Sequence, residues 1–317
     1  MDRLQAMQTF AAIVHGGSLT AAAEALDCSL PTVVRVLATL EPHLGARLLR
    51  RTTRTMSLTG EGERYLRSCQ RILADIDDAE RDVLDAMQDP QGVIHMTAPV
   101  LFGQMHVAPL VCEFLSLYTK ASINLTLLDR TIDLVDDGVD LALRIGPLRD
   151  SSMVALPAGL MRRVVCASPT YLANAGTPRK LSDLSTHRAV LFHQDTVRSA
   201  WQFIDAGRTH VVRMHARLTC NHAAAAAQAC ADNLGLGPFV AYQVEPLVRD
   251  GGLRIVLAQF EQPVRPVSLL YPQTRHLSRR LRILLDFLQP RLHAHLEAIS
   301  AAIATSNNHV TTSAATQ

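Results

Sequence analysis

The stretch from Ser18 to Glu41 constrains this chain most, because two helical patterns meet there across the turn Asp27-Cys28-Ser29. Ser18 or Thr20 can cap the first helix, since a side-chain hydroxyl satisfies an N–H group at a helix start. Ser29 can cap the second helix, with Pro31 in its first turn, where a missing N–H costs little. This spacing predicts a helix-turn-helix, whose second helix enters the major groove of DNA.

The second helix has one apolar stripe, because Val33, Leu37 and Leu40 recur at i, i+4 and i+7. Polar positions outside this stripe and at the two helix starts are expected to meet DNA. They are Ser18, Thr20, Ser29, Thr32 and Arg35. An alanine-rich helical hairpin of an enzyme or a helix bundle would show a similar pattern, so the helices alone leave that alternative open.

A basic segment follows the two helices directly. Its arginines are Arg47, Arg50, Arg51 and Arg54, and no acidic residue occurs between Glu41 and Glu61. The run 50–59 alternates and is rich in threonine, which predicts a short hairpin. A basic hairpin beside a recognition helix is a wing that neutralises phosphates, so we expect Arg50, Arg51 and Arg54 to contact DNA. A solvated basic face explains the clustering less well. The formal net charge of the whole chain is only +2, which by itself does not indicate a nucleic-acid-binding protein.

Together these segments resemble the LysR-type transcriptional regulators, and the resemblance covers nearly the whole chain. The matching segments are 4–10, 17–26, 29–35, 40–41, 44–54, 58–62, 140–146 and 234–237. The family usually has Gln where this chain has Leu30 and Ser where it has Val34, and both usual residues are polar and face the groove. The resemblance therefore implies that the apolar side chains of Leu30 and Val34 meet DNA in place of the usual polar contacts. The resemblance implies double-stranded promoter DNA, an unidentified small-molecule effector, RNA polymerase and further copies of the chain (a dimer or tetramer) as partners.

A long helix is predicted from Gly60 to about Gln88. Its apolar positions step alternately by three and four, as in a coiled-coil seam with one polar interruption. The seam positions are Leu66, Cys69, Leu73, Ile76, Glu80, Val83 and Met87. A helix docked on its own domain is the alternative, whereas the resemblance implies a dimerising linker. Asp89-Pro90-Gln91-Gly92 breaks the helix and acts as a hinge.

Strand-like and helix-like segments alternate beyond the hinge, which predicts a parallel sheet with helices on its faces. Strands are expected at 93–98, 123–129 and 140–145, and helices at 101–118 and near 131–137. A second unit of the same kind begins near Arg163 and includes an alanine-rich helix at 221–233. The chain returns to the first unit through 266–272 and a last helix at about 276–290. Two such lobes resemble a periplasmic-binding-protein fold, which closes on a small ligand.

The predicted fold is therefore α/β with four parts. These are a winged helix-turn-helix at 1–59, a linker helix and hinge at 60–89, an effector-binding domain at 90–300 and a disordered tail at 301–317. Lobe I takes up about 90–161 and 266–300, and lobe II about 162–265. The tail is expected to be disordered because it is polar and lacks periodicity.

An effector is expected at the carboxyl ends of the strands, where ligands collect in open α/β sheets. The first strand ends before a helix whose free N–H groups favour an anion. The predicted effector-binding residues are Ala98, Pro99, Val100, Leu101, Asp129, Arg144, Gly146, Phe192, His193, Asn221 and His222. The family often has Ser at the position of Leu101, so this pocket is expected to be more apolar. For each residue, a plain loop or core position is the alternative.

The main rival interpretation is a cytosolic small-molecule-binding protein or an enzyme with a two-lobed α/β domain. The chain has no G-x-S-x-G, H-E-x-x-H or phosphate-loop motif, and Gly235-x-Gly237 lacks the third glycine of a dinucleotide site. Acidic residues at 133, 136, 137 and 140 are expected to form one solvated helix face. The sequence therefore predicts a protein that is not an enzyme and that has no cofactor and no metal site.

Six cysteines show no C-x-x-C pair, so reduced and mostly buried thiols are expected. The first residues carry acids and glutamines in place of a basic stretch and an apolar core, so we expect no signal peptide. No apolar run was expected to approach the roughly eighteen residues of a membrane span. These features predict a cytoplasmic protein.

Overall fold

The structure is a computed structural model that describes residues 1–51, 56–84, 89–130, 133–134, 137–148, 153–192, 200–273 and 277–313. Its N-terminal part consists of three helices, a hairpin and a long helix. These are α1 (Arg3–Gly16), α2 (Leu19–Ala25), α3 (Leu30–Leu44), β1 (Leu49–Arg51), β2 (Met56–Leu58) and α4 (Gly60–Leu84).

The helix-turn-helix prediction is confirmed. Ser18 caps α2, because its Oγ accepts a hydrogen bond from the backbone N–H of Ala21 at 3.0 Å, and Thr20 lies inside the helix. Ser29 caps α3 in the same way. The predicted stripe of Val33, Leu37 and Leu40 is buried, and it packs with α1 and α2 in one apolar core.

The wing is held between α3 and α4. Its strands β1 and β2 are antiparallel, with Leu49 opposite Leu58. The hydroxyl of Thr59 donates to the carbonyl of Arg47 at 2.7 Å and accepts from the backbone N–H of Gly62 at 2.9 Å. A Cβ at Gly62 would lie 2.0 Å from the carbonyl oxygen of Leu48, so only glycine fits at this close approach.

Helix α4 begins as predicted, but the first part of its apolar seam has another role. Cys69 is fully buried and Leu66 half-buried in the core of the N-terminal domain. These two positions therefore stabilise the domain itself. Leu73 and Ile76, further along, are half-buried. The side chains of Glu80 and Val83, together with Met87, lie outside the described part of the chain.

The C-terminal part contains both predicted lobes. Its helices are α5 (Val100–Phe102), α6 (Ala108–Leu117), α7 (Pro169–Ala175), α8 (Ala223–Ala231), α9 (Glu245–Arg249) and α10 (Arg279–Ser313), with a π-helical turn (Gly103–Val107) joining α5 to α6. Its strands are β3 (Gly92–Ala98), β4 (Ala121–Leu127), β5 (Leu141–Ile145), β6 (Met153–Met161), β7 (Arg163–Ala167), β8 (Arg188–Phe192), β9 (Ala200–Asp205), β10 (Arg208–Arg213), β11 (His215–Cys220), β12 (Gly237–Val240), β13 (Arg254–Val256) and β14 (Arg265–Pro272).

Lobe I has a five-stranded sheet in the order β4-β3-β5-β14-β6. The three strands β4, β3 and β5 are parallel, as predicted, whereas β14 is antiparallel to both β5 and β6. The sheet is therefore mixed, because β14 enters it from lobe II in the opposite direction. Helices α6 and α10 cover one face and bury Phe114, Leu284, Leu288 and Leu292.

Lobe II does not repeat the parallel sheet that the sequence predicted. Strands β12 and β13 pair antiparallel with β7, while β8 and β11 are parallel. Strands β9 and β10 form an antiparallel hairpin around Ala206 and Gly207, both of which have positive φ. A two-residue turn of this kind matches the twist of a hairpin. This Ala-Gly turn was not predicted from the sequence.

Three further expectations are corrected. No helix includes Asp133, Leu134 or Asp137, the described residues of the predicted helix near 131–137. Carboxylates three and four residues apart repel one another on a helix, which disfavours one here. The predicted disordered tail is helical from 301 to Ser313, because α10 has neither Gly nor Pro after Pro290. Residues 314–317 lie outside the described part.

The segment Val100–Leu117 is apolar and long enough to pass a membrane-span criterion, contrary to the expectation that no run would approach this length. Within it, Phe102, Val107, Leu110, Val111 and Phe114 are buried against the strands of lobe I. One such helix is weak evidence for a membrane span, and these contacts are those of a core helix.

Candidate DNA interface and effector site

Three side chains of α3 outside its buried stripe are accessible, and we call them the open face of α3. Leu30 is 42% exposed and Val34 39% exposed. Arg35 is exposed as well, and Thr32 is half-buried with its hydroxyl 2.9 Å from that of Ser29. The structure therefore presents two apolar side chains and a guanidinium group at accessible positions of α3.

The wing lies beside this face, and a carboxylate fixes it there. Glu41, at the end of α3, accepts hydrogen bonds from the backbone N–H groups of Leu48 and Leu49 at 2.8 and 3.2 Å. This role of Glu41 was not predicted from the sequence, where the residue marks only the boundary of the basic segment. Its position nine residues before the predicted hairpin was the available signal.

The N-terminal domain also carries exposed cations. Arg50 is exposed on the wing, Arg47 directly before it and Arg35 on α3. The side chain of Arg51 and the whole of Arg54 lie outside the described part of the chain. These exposed guanidinium groups carry the charge that phosphate contacts need.

In lobe I, the predicted effector residues gather at the ends of β3 and β4. The backbone N–H of Val100 donates to Oδ1 of Asp129 at 2.9 Å, and the N–H of Leu128 donates to the carbonyl of Ala98 at 3.0 Å. The carboxylate of Asp129 thus occupies the position at the helix start where a ligand anion was expected. Pro99 and Leu101 are half-buried beside it.

Arg144 and Gly146 lie at the end of β5, next to β14. The Nη1 of Arg144 donates to the carbonyl of Leu143 at 3.1 Å, while its Nη2 is buried without a hydrogen-bond partner. Burial lowers the pKa of Arg144. Gly146 has φ of 118° and donates its N–H to the carbonyl of Pro266 at 2.8 Å.

In lobe II, Phe192 and Cys220 are neighbours in register at the ends of the parallel strands β8 and β11. Asn221 and His222 follow and are exposed. Phe192 packs against the same apolar cluster as Leu101 of lobe I. His193 lies outside the described part of the chain.

Aromatic rings, which were not predicted as site residues, join the two lobes. Phe102 and Tyr242 meet edge to face at 5.0 Å between ring centroids, and His106 is 5.9 Å from Tyr242. Burial lowers the pKa of His106 to about 4, helped by His295, and its Nε2 is buried without a partner. Burial also raises the pKa of Tyr242 to about 12, and the charge of Asp129 adds to this shift.

No group of three or more His, Cys, Asp or Glu side chains is placed to hold a metal ion within the described ranges. The six cysteines are free thiols: Cys69, Cys166 and Cys230 are buried, Cys28 and Cys220 half-buried and Cys112 exposed.

The winged helix-turn-helix and the two lobes define a class of protein, a DNA-binding regulator with a ligand-binding domain. Residues 4–63 match the family model "Bacterial regulatory helix-turn-helix protein, lysR family", and residues 87–293 match "LysR substrate binding domain". The chain belongs to the LysR-type family of transcriptional regulators, with an N-terminal DNA-binding domain and a C-terminal effector-binding domain.

Relatives and solved structures extend over nearly the whole chain. An HTH-type transcriptional repressor of Pseudomonas aeruginosa is 34% identical over 290 residues, which are 91% of this chain and 92% of the relative. The structure of CrgA, a LysR-type regulator of Neisseria meningitidis, is 31% identical with a TM-score of 0.59, covering 91% of this chain and 98% of CrgA. Full-length AphB of Vibrio cholerae, a virulence activator, is 26% identical with a TM-score of 0.56, covering 90% and 98%.

Proposed function

We propose that this regulator reads promoter DNA with the open face of α3 and neutralises phosphates with the wing. Leu30, Thr32, Val34 and Arg35 contact base edges, with Ser18, Thr20 and Ser29 at the helix starts close to the backbone. Arg50, Arg51 and Arg54 bind phosphates. One observation carries the proposal: Leu30, Val34 and Arg35 are exposed on α3, whereas Val33, Leu37 and Leu40 of the same helix are buried.

The effector binds between the two lobes, near the strand ends that carry Ala98, Val100, Arg144 and Gly146 from lobe I and Phe192, His193, Asn221 and His222 from lobe II. The contact between the rings of Phe102 and Tyr242 stabilises one arrangement of the two lobes. A bound effector can stabilise this arrangement further or favour a different one. An effector shifts the state of the protein only if it binds one arrangement more tightly than another.

The working form is a dimer or tetramer joined through α4, because two-fold DNA sites call for two-fold proteins. It acts in the cytoplasm, at promoters, through contact with RNA polymerase, and it performs no enzymatic step of its own.

The test is an electrophoretic mobility shift with the purified full-length chain. The probe is the DNA directly upstream of its own gene, and the control is the same fragment with its base order shuffled. We expect a shift of the promoter fragment at concentrations that leave the shuffled fragment free. Equal affinity for both fragments would contradict sequence reading by α3.

A further inference from the structure

The base of the wing is held from two sides at Leu48. From the recognition helix α3, Oε1 of Glu41 accepts hydrogen bonds from the backbone N–H groups of Leu48 and Leu49 at 2.8 and 3.2 Å. From the other side, the backbone N–H of Thr59 donates to the carbonyl of Leu48 at 3.0 Å. The hydroxyl of Thr59 donates to the carbonyl of Arg47 at 2.7 Å. The backbone of Leu48 is therefore bonded to a side chain of α3 and to the residue directly before α4.

Thr59 is at the same time the cap of the linker helix α4. Its hydroxyl accepts a hydrogen bond from the N–H of Gly62, and its carbonyl accepts one from the N–H of Glu63, both at 2.9 Å. Thr59 is only 8% exposed, so water has little access to these bonds. A movement of the first turn of α4 is therefore transmitted to Leu48.

The wing is too short to keep its own position. Its strands β1 and β2 pair over three residues each, with Arg50 opposite Ser57. A two-stranded hairpin of this kind is marginally stable at best in water. Arg50 directly follows the anchored residue Leu49, and its side chain is exposed. Anchoring the backbone here restricts where the guanidinium group lies, which reduces the entropy lost when DNA orders it.

The charge of Glu41 alone predicts the opposite effect on DNA binding. No other acidic residue occurs before Glu61, so Glu41 is a carboxylate within a basic segment. A carboxylate repels phosphates, and removing it would strengthen DNA binding if charge were its only effect. Its two hydrogen bonds to backbone N–H groups are charge-assisted and hold the wing. The sign of the change in affinity therefore separates the two effects.

We propose that Glu41 and Thr59 are positioning residues for DNA binding, which act through Arg50 and do not touch DNA themselves. Leu48 is the joint at which the recognition helix and the linker helix together set the position of the wing. This inference rests on the proposed phosphate contact of Arg50. It extends that contact to two residues in other parts of the domain.

The experiment measures fluorescence anisotropy of the base-shuffled duplex with the full-length chain at several salt concentrations. Glu41→Ala should weaken binding by a factor close to that of Arg50→Ala and lower the logarithmic salt slope by roughly one unit, because the phosphate contact is lost. Thr59→Val removes the hydroxyl at similar volume and should act in the same way. Glu41→Gln and Thr59→Ser keep an acceptor and a hydroxyl, so they should lose less.

A double-mutant cycle tests whether Glu41 acts through Arg50. Arg50→Ala should weaken binding little further in a Glu41→Ala chain, because the contact is already lost there. The two losses would multiply to within about twofold if the residues acted independently. Arg35→Ala, which lies on α3 and outside the wing, should multiply with Glu41→Ala in this way.

Asp2→Ala is the matched control for domain stability. Oδ1 of Asp2 accepts hydrogen bonds from the backbone N–H groups of Leu4 and Gln5 at 2.9 and 3.3 Å. The substitution thus removes the same kind of bond from the same domain, at the start of α1. It should retain the wild-type affinity and salt slope. Urea unfolding of each variant gives its folded fraction, and Glu41→Gln replaces Glu41→Ala in the cycle if the latter is unfolded.

The inference is overturned if Glu41→Ala binds the shuffled duplex as tightly as the wild type or more tightly. It is also overturned if the losses of Glu41→Ala and Arg50→Ala multiply, if Arg50→Ala has no effect, or if Asp2→Ala loses as much as Glu41→Ala. Equal wild-type affinity for the promoter and shuffled fragments would instead contradict sequence reading by α3 and leave the cycle intact. A wild type that binds neither duplex overturns both proposals.

Discussion

At the scale of single residues, the face of α3 combines two kinds of contact. Arg35 can donate to a base edge or to a phosphate, whereas Leu30 and Val34 have no hydrogen-bonding group. In the major groove the natural apolar partner is the methyl group of thymine. The exposure of all three side chains leaves them free to make these contacts.

Arg35→Ala should weaken specific DNA binding by about 1–3 kcal/mol, as expected for loss of one base or phosphate contact. Fluorescence anisotropy at fixed salt measures this change. Arg217→Ala, at an exposed position on β11 far along the chain, is the matched control and should bind as the wild type does. Wild-type affinity in Arg35→Ala would exclude the assigned contact.

Thymine methyls should contribute to recognition by Leu30 and Val34. Replacing thymine by uracil at single positions of the half-site removes only the methyl group, so affinity should fall at one or more positions. The loss should disappear in Leu30→Ala or Val34→Ala, because the apolar partner is then gone. If the affinity is unchanged by uracil at every position, Leu30 and Val34 contact no thymine methyl and only pack against their own domain.

His106 should make the protein less stable in acid. Its pKa is about 4 in the folded chain against 6.5 for an ordinary histidine. Between pH 6.5 and pH 4 the unfolded chain therefore binds a proton on this side chain that the folded chain does not bind. The free energy of unfolding should therefore fall by about 2 kcal/mol as the pH drops through this window, an amount reduced by partial solvent exposure. His106→Phe should flatten this part of the stability profile, measured by urea unfolding. An unchanged slope would rule out His106 as its source.

At the scale of elements, the sequence predicted those helices and strands whose residues interact with near neighbours in the chain. Caps, the buried stripe of α3 and the alternating wing identified the N-terminal domain, because each depends on neighbours in the chain. The reversed strand β14 and the antiparallel pairing of β7 with β12 and β13 depend on contacts between distant segments, which periodicity does not encode. The roles of Glu41 and Phe102 were missed for the same reason.

The wing should act through charge alone. Arg50→Ala should weaken binding to specific and random DNA by similar factors and should flatten the salt dependence of binding by roughly one unit in the logarithmic slope. Titrations at several salt concentrations measure both effects. A loss restricted to the specific site would mean that this arginine reads bases.

At the scale of the whole molecule, α4 lies between the DNA-binding domain and the effector-binding domain. The start of α4 belongs to the core of the first domain through Leu66 and Cys69. Leu73 and Ile76, further along, remain half-exposed in the single chain. We infer that this later part of the helix meets a second copy, which would place two α3 helices on one DNA duplex.

The most direct test is a nuclease footprint of the wild type and of Ile76→Asp on the upstream DNA. Two protected half-sites on one face of the duplex, about one helical turn or a multiple apart, are predicted for the wild type. Ile76→Asp puts an unpaired charge into the helix contact, so it should sediment as a smaller species and lose the paired protection. Paired protection that survives in Ile76→Asp, with unchanged sedimentation, would contradict the central claim that α4 joins two copies for DNA reading.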